Sequence, residues 1–136
     1  MFAALVHELE SLLVEDLQRS EAEAALATSS RVRRWLDGLD VRLTARVGTC
    51  AERDPTSTPA EESIAAATRR STQAARRDVR RAKAAAEVPA LGPALGSGGV
   101  SGEHLDVVGQ ALARLPGDRR QRFSAEYGQR ITEEAE

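Results

Sequence analysis

Apolar residues recur at intervals of three and four along most of the chain, which is the spacing of one face of an α-helix. Runs that alternate apolar and polar residues with β-branched side chains, as a strand would, do not occur in the sequence. The pattern predicts an all-α bundle of five to seven helices, in which one long helix forms the spine. The two longest stripes consist of Phe2, Leu5, Val6, Leu9, Leu12 and Leu13, and of Leu26, Ser29, Val32, Leu36, Leu39, Leu43, Val47 and Cys50.

Local capping signals predict where the spine helix begins. Ser20 and Glu23 have the spacing of a capping box, in which the serine accepts from the amide three residues on and the glutamate reaches back. We therefore expect the spine helix at about residues 21–53, so that residues 1–53 form the N-terminal helices. Gly38 is a weak point within it, since glycine costs a helix up to about 1 kcal/mol relative to alanine.

A proline-containing break at residues 54–59 separates the spine helix from a second unit at residues 59–87. Thr58 is placed to cap a short helix, and Ser71 is placed to cap the next one, at residues 72–87. A short helix, a tight turn and a second helix give this unit the outline of a helix-turn-helix.

The last third of the chain, residues 88–136, begins with a loop rich in glycine and proline at residues 89–99. Two further helices are expected, one after Ser101 and one after Pro116. The helical pattern continues to the final residue without a stop signal, which indicates a truncated or fragmentary gene product. The predicted inward residues are Leu105, Val108, Leu112 and Leu115 in the first of these helices, and Phe123, Tyr127 and Ile131 in the second.

The apolar fraction is 41%, but much of it is alanine. The aromatic residues are Phe2, Trp35, Phe123 and Tyr127. Because the free energy of burial scales with apolar area, a core rich in alanine stabilises the fold weakly. Long helices packed at close range, or a dimer, would compensate. The length of 136 residues fits a single domain.

Charge is strongly segregated along the chain, although the net charge is only −2. Residues 1–25 contain six acidic residues and one arginine, whereas residues 69–83 contain seven basic residues and one aspartate. Such asymmetry indicates either a charged partner or a compensating face within the protein.

A helical wheel gives the basic segment two faces. Val79, Ala82 and Ala86 fall within about 40° of Ala75, at about 100° per residue, and form a small apolar packing face. The basic side chains fan over the opposite arc, and guanidinium groups suit phosphate oxygens and the edge of guanine. We therefore expect this helix to bind double-stranded DNA. The candidate phosphate contacts are Arg69, Arg70, Arg76, Arg77, Arg80, Arg81 and Lys83, of which Arg76, Arg77 or Arg80 could reach bases.

Four alternatives remain open at this point. The basic face could be merely solvated, or it could lie against the acidic face of the first helix, beside Glu8, Glu15 or Asp16. The chain could instead be a protein-interaction or homodimerisation module built on the stripe from Leu26 to Val47. It could also be a degenerate fragment without activity.

Catalytic and metal-binding patterns are close to absent from the sequence. His7 and His104 lie 97 positions apart, and His104 is expected to be a surface or capping residue. Cys50, the single cysteine, ends an apolar stripe and is expected to be buried and inert. Neither a signal peptide nor a transmembrane span is indicated. We therefore expect a cytoplasmic protein without cofactor, metal, membrane association or small-molecule substrate.

The middle of the chain resembles a known family. Residues 75–82 are Ala-Arg-Arg-Asp-Val-Arg-Arg-Ala, residues 88–91 are Val-Pro-Ala-Leu, and residues 94–104 are Ala-Leu-Gly-Ser-Gly-Gly-Val-Ser-Gly-Glu-His. These segments resemble the actinobacterial 13E12-repeat family, a helical domain of unknown function usually found before an HNH nuclease domain. The likeness extends over most of the chain from residue 17 onward.

The resemblance implies a nuclease-associated helical domain without the nuclease. The HNH domain would lie beyond residue 136, and nothing in the sequence matches its metal site. We therefore expect no enzyme activity and no catalytic residue in this chain. Two features depart from the family pattern: Arg69 and Arg70 stand where a glycine is frequent, and one extra residue separates Gly98 from Val100.

Overall fold

The computed structural model describes the backbone of residues 2–135, with side chains as far as residue 126 and at Arg130. Within these residues the protein is all-helical, which confirms the predicted fold class. Tyr127 and Ile131, expected on the inward face of the last helix, lie outside the described side chains. The helices are α1 (Phe2–Glu10), α2 (Arg19–Arg53), α3 (Ala60–Thr68), α4 (Thr72–Glu87), α5 (Leu91–Gly96), α6 (Gly102–Ala113) and α7 (Gly117–Ala135), with a 3₁₀ turn at Val14–Asp16.

The apolar core lies in the second half of the chain, where α4, α5 and α6 pack against the middle of α2. Its fully buried side chains are Val88, Leu91, Leu105 and Val108. The segment predicted as a glycine-rich loop therefore contributes a short helix, α5, directly to the core. Phe123 of α7 packs against the same cluster, as predicted for the inward face of the last helix.

Helix α2 spans about 52 Å at 1.5 Å per residue. Neither α2 nor any other helix among the described residues has an apolar stretch that could cross a membrane. Its core-facing residues are Gly38, Val41 and Thr44, on a different side of the helix from the predicted apolar stripe. On another side α1 packs across it, with the ring of Phe2 stacked on that of Trp35 at 4.8 Å between centroids.

The apolar stripe of α2 is consequently left largely in solvent. Leu26 is 70% exposed, Leu43 is 55% exposed and Leu36 is 43% exposed. Cys50, predicted to be buried, is exposed as well. The prediction from hydrophobic spacing was therefore wrong about which face of α2 is buried. Another face of α2 binds the α5–α6 segment, partly through polar contacts. The Arg34 Nε donates to the Gly98 carbonyl at 2.6 Å, and the Gly102 amide donates to an Asp37 carboxylate oxygen at 2.9 Å.

Gly38 permits the closest approach within this arrangement. A Cβ atom at this position would lie 2.5 Å from the Leu95 carbonyl oxygen, closer than van der Waals contact allows. The glycine predicted as a weak point in the spine helix is therefore the site where α5 meets α2. Its cost in helix propensity is offset by close packing that any larger residue would prevent.

The predicted ends of α3 and α4 can be compared with the structure directly. Ser71 caps α4 as predicted, since its side chain accepts from the Ala74 amide at 3.1 Å. Pro59, rather than Thr58, is the capping position of α3, and it makes no side-chain cap. The short turn between the two helices is closed by Arg69, whose backbone is left-handed with φ 53°.

The start of α2 also differs from the prediction. The helix begins two residues before the predicted position, and Glu21 reaches back to the backbone amide of Gln18 at 3.4 Å. The pair expected there was Ser20 and Glu23. Glu23 instead pairs with the Arg19 side chain at 3.0 Å.

Candidate nucleic-acid interface

Helix α4, which contains most of the predicted binding residues, is held by three neighbours: α2, α3 and α6. Ala75 and Ala82 are buried on the predicted packing face, and Val79 is half-buried. Ala86, predicted to pack beside them, is exposed. The prediction that α4 has one packing face and one solvent-facing face is thus confirmed for the first part of the helix and wrong near its C-terminal end.

Helix α6 explains the difference, since it covers a second side of α4. Ala84, about 180° from Ala75 on the wheel, is only 3% exposed. A Cβ placed on Gly109 of α6 would lie 3.6 Å from the Ala84 Cβ. Small residues on both helices therefore allow close packing on a side predicted to face solvent.

Arg81 is held by this second contact rather than left free for a ligand. Its Nε and Nη2 donate to the two carboxylate oxygens of Asp106 at 2.8 and 2.7 Å. The Arg81 side chain is 17% exposed and that of Asp106 is 29% exposed. The hydrogen bond from Arg81 holds the pKa of Asp106 below its ordinary value, and the same bond raises the pKa of Arg81. Gly102 leaves room for the guanidinium, since a Cβ there would lie 2.6 Å from Arg81 Nη1.

Two other predicted binding residues lie at the turn before α4. Arg70 forms an ion pair with Asp78, whose side chain is 12% exposed. Arg69 is exposed, and its backbone amide closes the C-terminus of α3 by donating to the Ala66 carbonyl. Arg70 is therefore engaged within the fold, whereas the side chain of Arg69 lies at the surface.

The remaining four candidates define what we call the basic surface: Arg76, Arg77, Arg80 and Lys83. All four are exposed. None of them forms a hydrogen bond or ion pair with another residue that the structure describes. They lie on α4 within about 10 Å of helix length, from residue 76 to residue 83.

A groove of about 450 Å³ between α4 and α6 adjoins the basic surface. Its apolar lining includes Ala84, Leu105, Gly109 and Leu112. Its basic lining includes Arg77, Arg80, Lys83 and also Arg120 of α7. Arg120 was not predicted as a candidate. Its only signal in the sequence was the cluster of arginines at residues 119–122, and that signal could not show that α7 returns to the end of α4.

The structure contradicts one alternative for the basic helix, in which it would lie against the acidic face of α1. Helix α1 packs on α2. Glu8, Glu15 and Asp16 are exposed, and within residues 2–126 no ion pair joins them to α4. The partners of the arginines are instead Asp78, on α4 itself, and Asp106, on α6. A compensating acidic face of α1 therefore does not account for the basic surface.

A small polar pocket lies behind α4, between it and α2. Asp37, Asp40 and Asp78 line it together with Arg70 and Arg81. Burial raises the pKa of Asp40, and the charges of the two neighbouring aspartates raise it further, against a lowering by Arg70. The described residues contain no group of three or more histidine, cysteine, aspartate or glutamate side chains arranged to hold a metal ion.

His104 is placed as predicted, at the surface and in a capping position. Its Nδ1 accepts from the Ser101 backbone amide at 3.1 Å, and the Ser101 side chain accepts from the His104 amide at 3.4 Å. This reciprocal pair begins α6. Since α6 holds Arg81 through Asp106, the cap contributes indirectly to the shape of the groove.

A family model described as "Domain of unknown function (DUF222)" matches residues 23–132, which is most of the chain. Neither a curated protein nor a solved structure matches this chain. The matched range includes almost all of α2 and every residue of the basic surface and groove.

Proposed function

We propose that this chain, which belongs to the DUF222 family of domains of unknown function, binds double-stranded DNA through the basic surface of α4. The observation that supports the proposal is the exposure of Arg76, Arg77, Arg80 and Lys83 without any ion-paired partner among the described residues. Such a cluster repels itself in isolation, and a polyanion would relieve that repulsion.

The dimensions of the surface suit a duplex backbone. Its length of about 10 Å along α4 corresponds to about three base-pair steps of 3.4 Å. The helix that supports it is fixed on three sides, so that little backbone order has to be gained on binding. Because α6 covers one side of α4, we expect mostly phosphate contacts, with Arg76 and Arg80 as the residues placed to reach base edges.

Salt-dependent fluorescence anisotropy on a labelled duplex tests this proposal. The logarithm of the binding constant falls linearly with the logarithm of the salt concentration. Removal of each side chain that neutralises a phosphate should make this slope less negative by about 0.9. The double variant Arg76→Ala/Arg80→Ala should therefore make the slope less negative by roughly 1.8 and weaken binding at low salt. The matched control is Arg42→Ala/Arg46→Ala, which removes the same charge from two exposed positions on α2.

Two results would contradict DNA binding through the basic surface. One is the absence of binding by the wild-type chain at low salt. The other is an equal loss of affinity in the two double variants, since this would show a dependence on net charge and not on the basic surface.

We also propose that the chain acts as the non-catalytic part of an HNH-endonuclease-like protein. The support is the resemblance of residues 75–104 to the 13E12-repeat family. The sequence contains the candidate DNA-binding residues of the basic surface and no match to the metal site of an HNH nuclease. Incubation of the chain with plasmid DNA and Mg²⁺ or Mn²⁺ should give no nicking, and metal-dependent nicking by the purified chain would overturn this part of the proposal.

A second candidate function is homodimerisation through the stripe from Leu26 to Val47. The observation that favours it is the exposure of Leu26, Leu36 and Leu43, since large apolar side chains in a row along one helix are typical of interfaces. Sedimentation analysis over a concentration series tests it. The wild-type chain should associate, and a chain that stays monomeric at its highest soluble concentration would exclude this function.

A further inference from the structure

The exposed face of α2 has the spacing of a coiled coil over four heptads. We call this set of residues the α2 seam. It steps by three and four without interruption from residue 26 to residue 50. The apolar positions of these heptads are Leu26, Leu36, Leu43 and Val47, and apolar residues at this spacing are typical of helices that pair with another helix. The first position of each heptad is Leu26, Arg33, Asp40 and Val47, and the fourth is Ser29, Leu36, Leu43 and Cys50.

Most of the seam lies in solvent, and its residue nearest the rest of the bundle is Asp40, which lines the polar pocket between α2 and α4. Six of its eight residues are exposed, and Ser29 and Val47 are half-buried. The buried residues of the same helix, Gly38, Val41 and Thr44, lie on another side. Among the described residues, the bundle therefore leaves most of the seam uncovered.

Two charged residues within the seam determine which orientation a partner helix could take. Arg33 and Asp40 lie seven residues apart, which is about 10 Å along the helix, too far for an ion pair within one chain. Among the described residues neither one has an ion-pair partner. Asp40 lies in the pocket that also holds the carboxylates of Asp37 and Asp78. The cations in that pocket are Arg70 and Arg81, and Arg81 is already bound to Asp106, so a further cation from outside would be favourable there.

We propose that two copies of this chain pair through the α2 seam in antiparallel orientation, centred near Leu36, with Arg33 of each copy beside Asp40 of the other. The inference rests on the proposed dimerisation and specifies its geometry. A parallel pair would place Arg33 against Arg33 and Asp40 against Asp40, since equivalent heptad positions then lie level. An antiparallel pair joins opposite charges twice and brings Leu26 of one copy level with Val47 of the other.

Charge reversal tests the pairing of Arg33 with Asp40. Each single variant, Arg33→Asp or Asp40→Arg, should weaken association at least tenfold in sedimentation analysis, because two like charges then meet. The double variant Arg33→Asp/Asp40→Arg should restore it. Leu43→Glu should also weaken association at least tenfold, and Val107→Glu, at a position 65% exposed on α6, is the matched control that should not. Circular dichroism of each variant confirms that the bundle is folded.

Disulfide trapping tests the orientation independently. In a Cys50→Ser background, Leu36→Cys lies near the twofold axis and should form covalent dimers with itself. Leu26→Cys should not, because its equivalent is then roughly 30 Å away along the pair. A mixture of Leu26→Cys and Val47→Cys chains should crosslink.

The outcomes separate this inference from the function on which it rests. A monomeric wild-type chain would exclude dimerisation and the seam together. A dimer in which Leu26→Cys crosslinks readily to itself would be parallel. Such a result, or failure of the double charge reversal to restore association, would overturn the antiparallel pairing and leave dimerisation in place.

Discussion

Removing the Arg81 side chain should destabilise the fold, whereas removing the neighbouring Arg80 side chain should not. The two residues are adjacent in sequence and identical in type. Arg81 makes two hydrogen bonds to Asp106 and is largely covered, whereas Arg80 is exposed and unpaired among the described residues. The pair of variants Arg81→Ala and Arg80→Ala therefore separates a structural arginine from a binding one.

The magnitude follows from the geometry of the Arg81–Asp106 pair. Hydrogen bonds to charged groups contribute about 1.5–3 kcal/mol to stability, and the partial exposure of both side chains places this pair near the lower end. Loss of Arg81 also leaves the Asp106 carboxylate partly buried without its cation. We expect Arg81→Ala to lower the free energy of unfolding by about 2 kcal/mol, or Tm by roughly 6–10 °C for a chain of this size. Arg80→Ala should stay within about 0.5 kcal/mol of the wild type.

The effect should depend on pH in a defined direction. The pKa of Asp106 is lowered in the folded protein, so its contribution is present above the unfolded value, about 3.9, and is lost as the pH falls through the folded pKa. The difference in stability between wild type and Arg81→Ala should therefore be constant near neutral pH and shrink below about pH 4.

Urea unfolding followed by circular dichroism measures both variants under identical conditions. Arg81→Ala/Asp106→Ala should lose less than the sum of the two single variants, because the residues interact directly. Equal stability of Arg80→Ala and Arg81→Ala would refute the structural role of Arg81. The affinity for duplex DNA should rank the two variants in the opposite order. Arg80→Ala should lose more affinity than a folded Arg81→Ala variant.

Two further substitutions test other parts of the bundle. Gly38→Ala should lower the free energy of unfolding by roughly 1–2 kcal/mol in urea titrations, because its Cβ would meet the Leu95 carbonyl oxygen. Gly48→Ala, in the same helix with nothing within 4 Å, should raise it by up to about 1 kcal/mol, and a loss of equal size at both sites would contradict the packing argument. Asp40→Asn, measured in a Leu43→Glu background to suppress association, should raise Tm slightly at pH 7. Burial raises the Asp40 pKa, so ionisation costs stability as the pH rises through that value, and the gain should vanish below about pH 4. A Tm that falls at pH 7 would refute this.

The local helical signals of the chain could be predicted well from sequence. The limits of α4 and its Ser71 cap follow from a serine before a run of helix formers, and the structure places both as expected. The capping role of His104 and the breaks at the prolines follow from equally local rules. These features depend on residues that are only a few positions apart in the sequence, so a sequence pattern is enough to predict them.

The choice of buried face could not be predicted in the same way. The leucines of α2 suggested one face, but the helix buries Gly38, Val41 and Thr44 instead. That choice depends on contacts with α5 and α6, some sixty residues away, and on the room left by a missing side chain. Likewise, nothing near Arg81 in the sequence shows that Asp106 would hold it, so the seven predicted binding residues included at least one that the fold itself uses.

Helix α1 has no buried residue. The ring of Phe2 stacks on that of Trp35, and the Arg31 guanidinium carbon lies 5.9 Å from the centre of the Phe2 ring. The attachment of α1 to α2 is therefore much weaker than that of α4, which three helices enclose. Local opening of a segment with so little burial requires far less free energy than unfolding of the core. We therefore expect two opening reactions, a frequent release of α1 and a rare loss of the whole bundle. In hydrogen exchange, the amide hydrogens of α1 should exchange with solvent faster than those of the core.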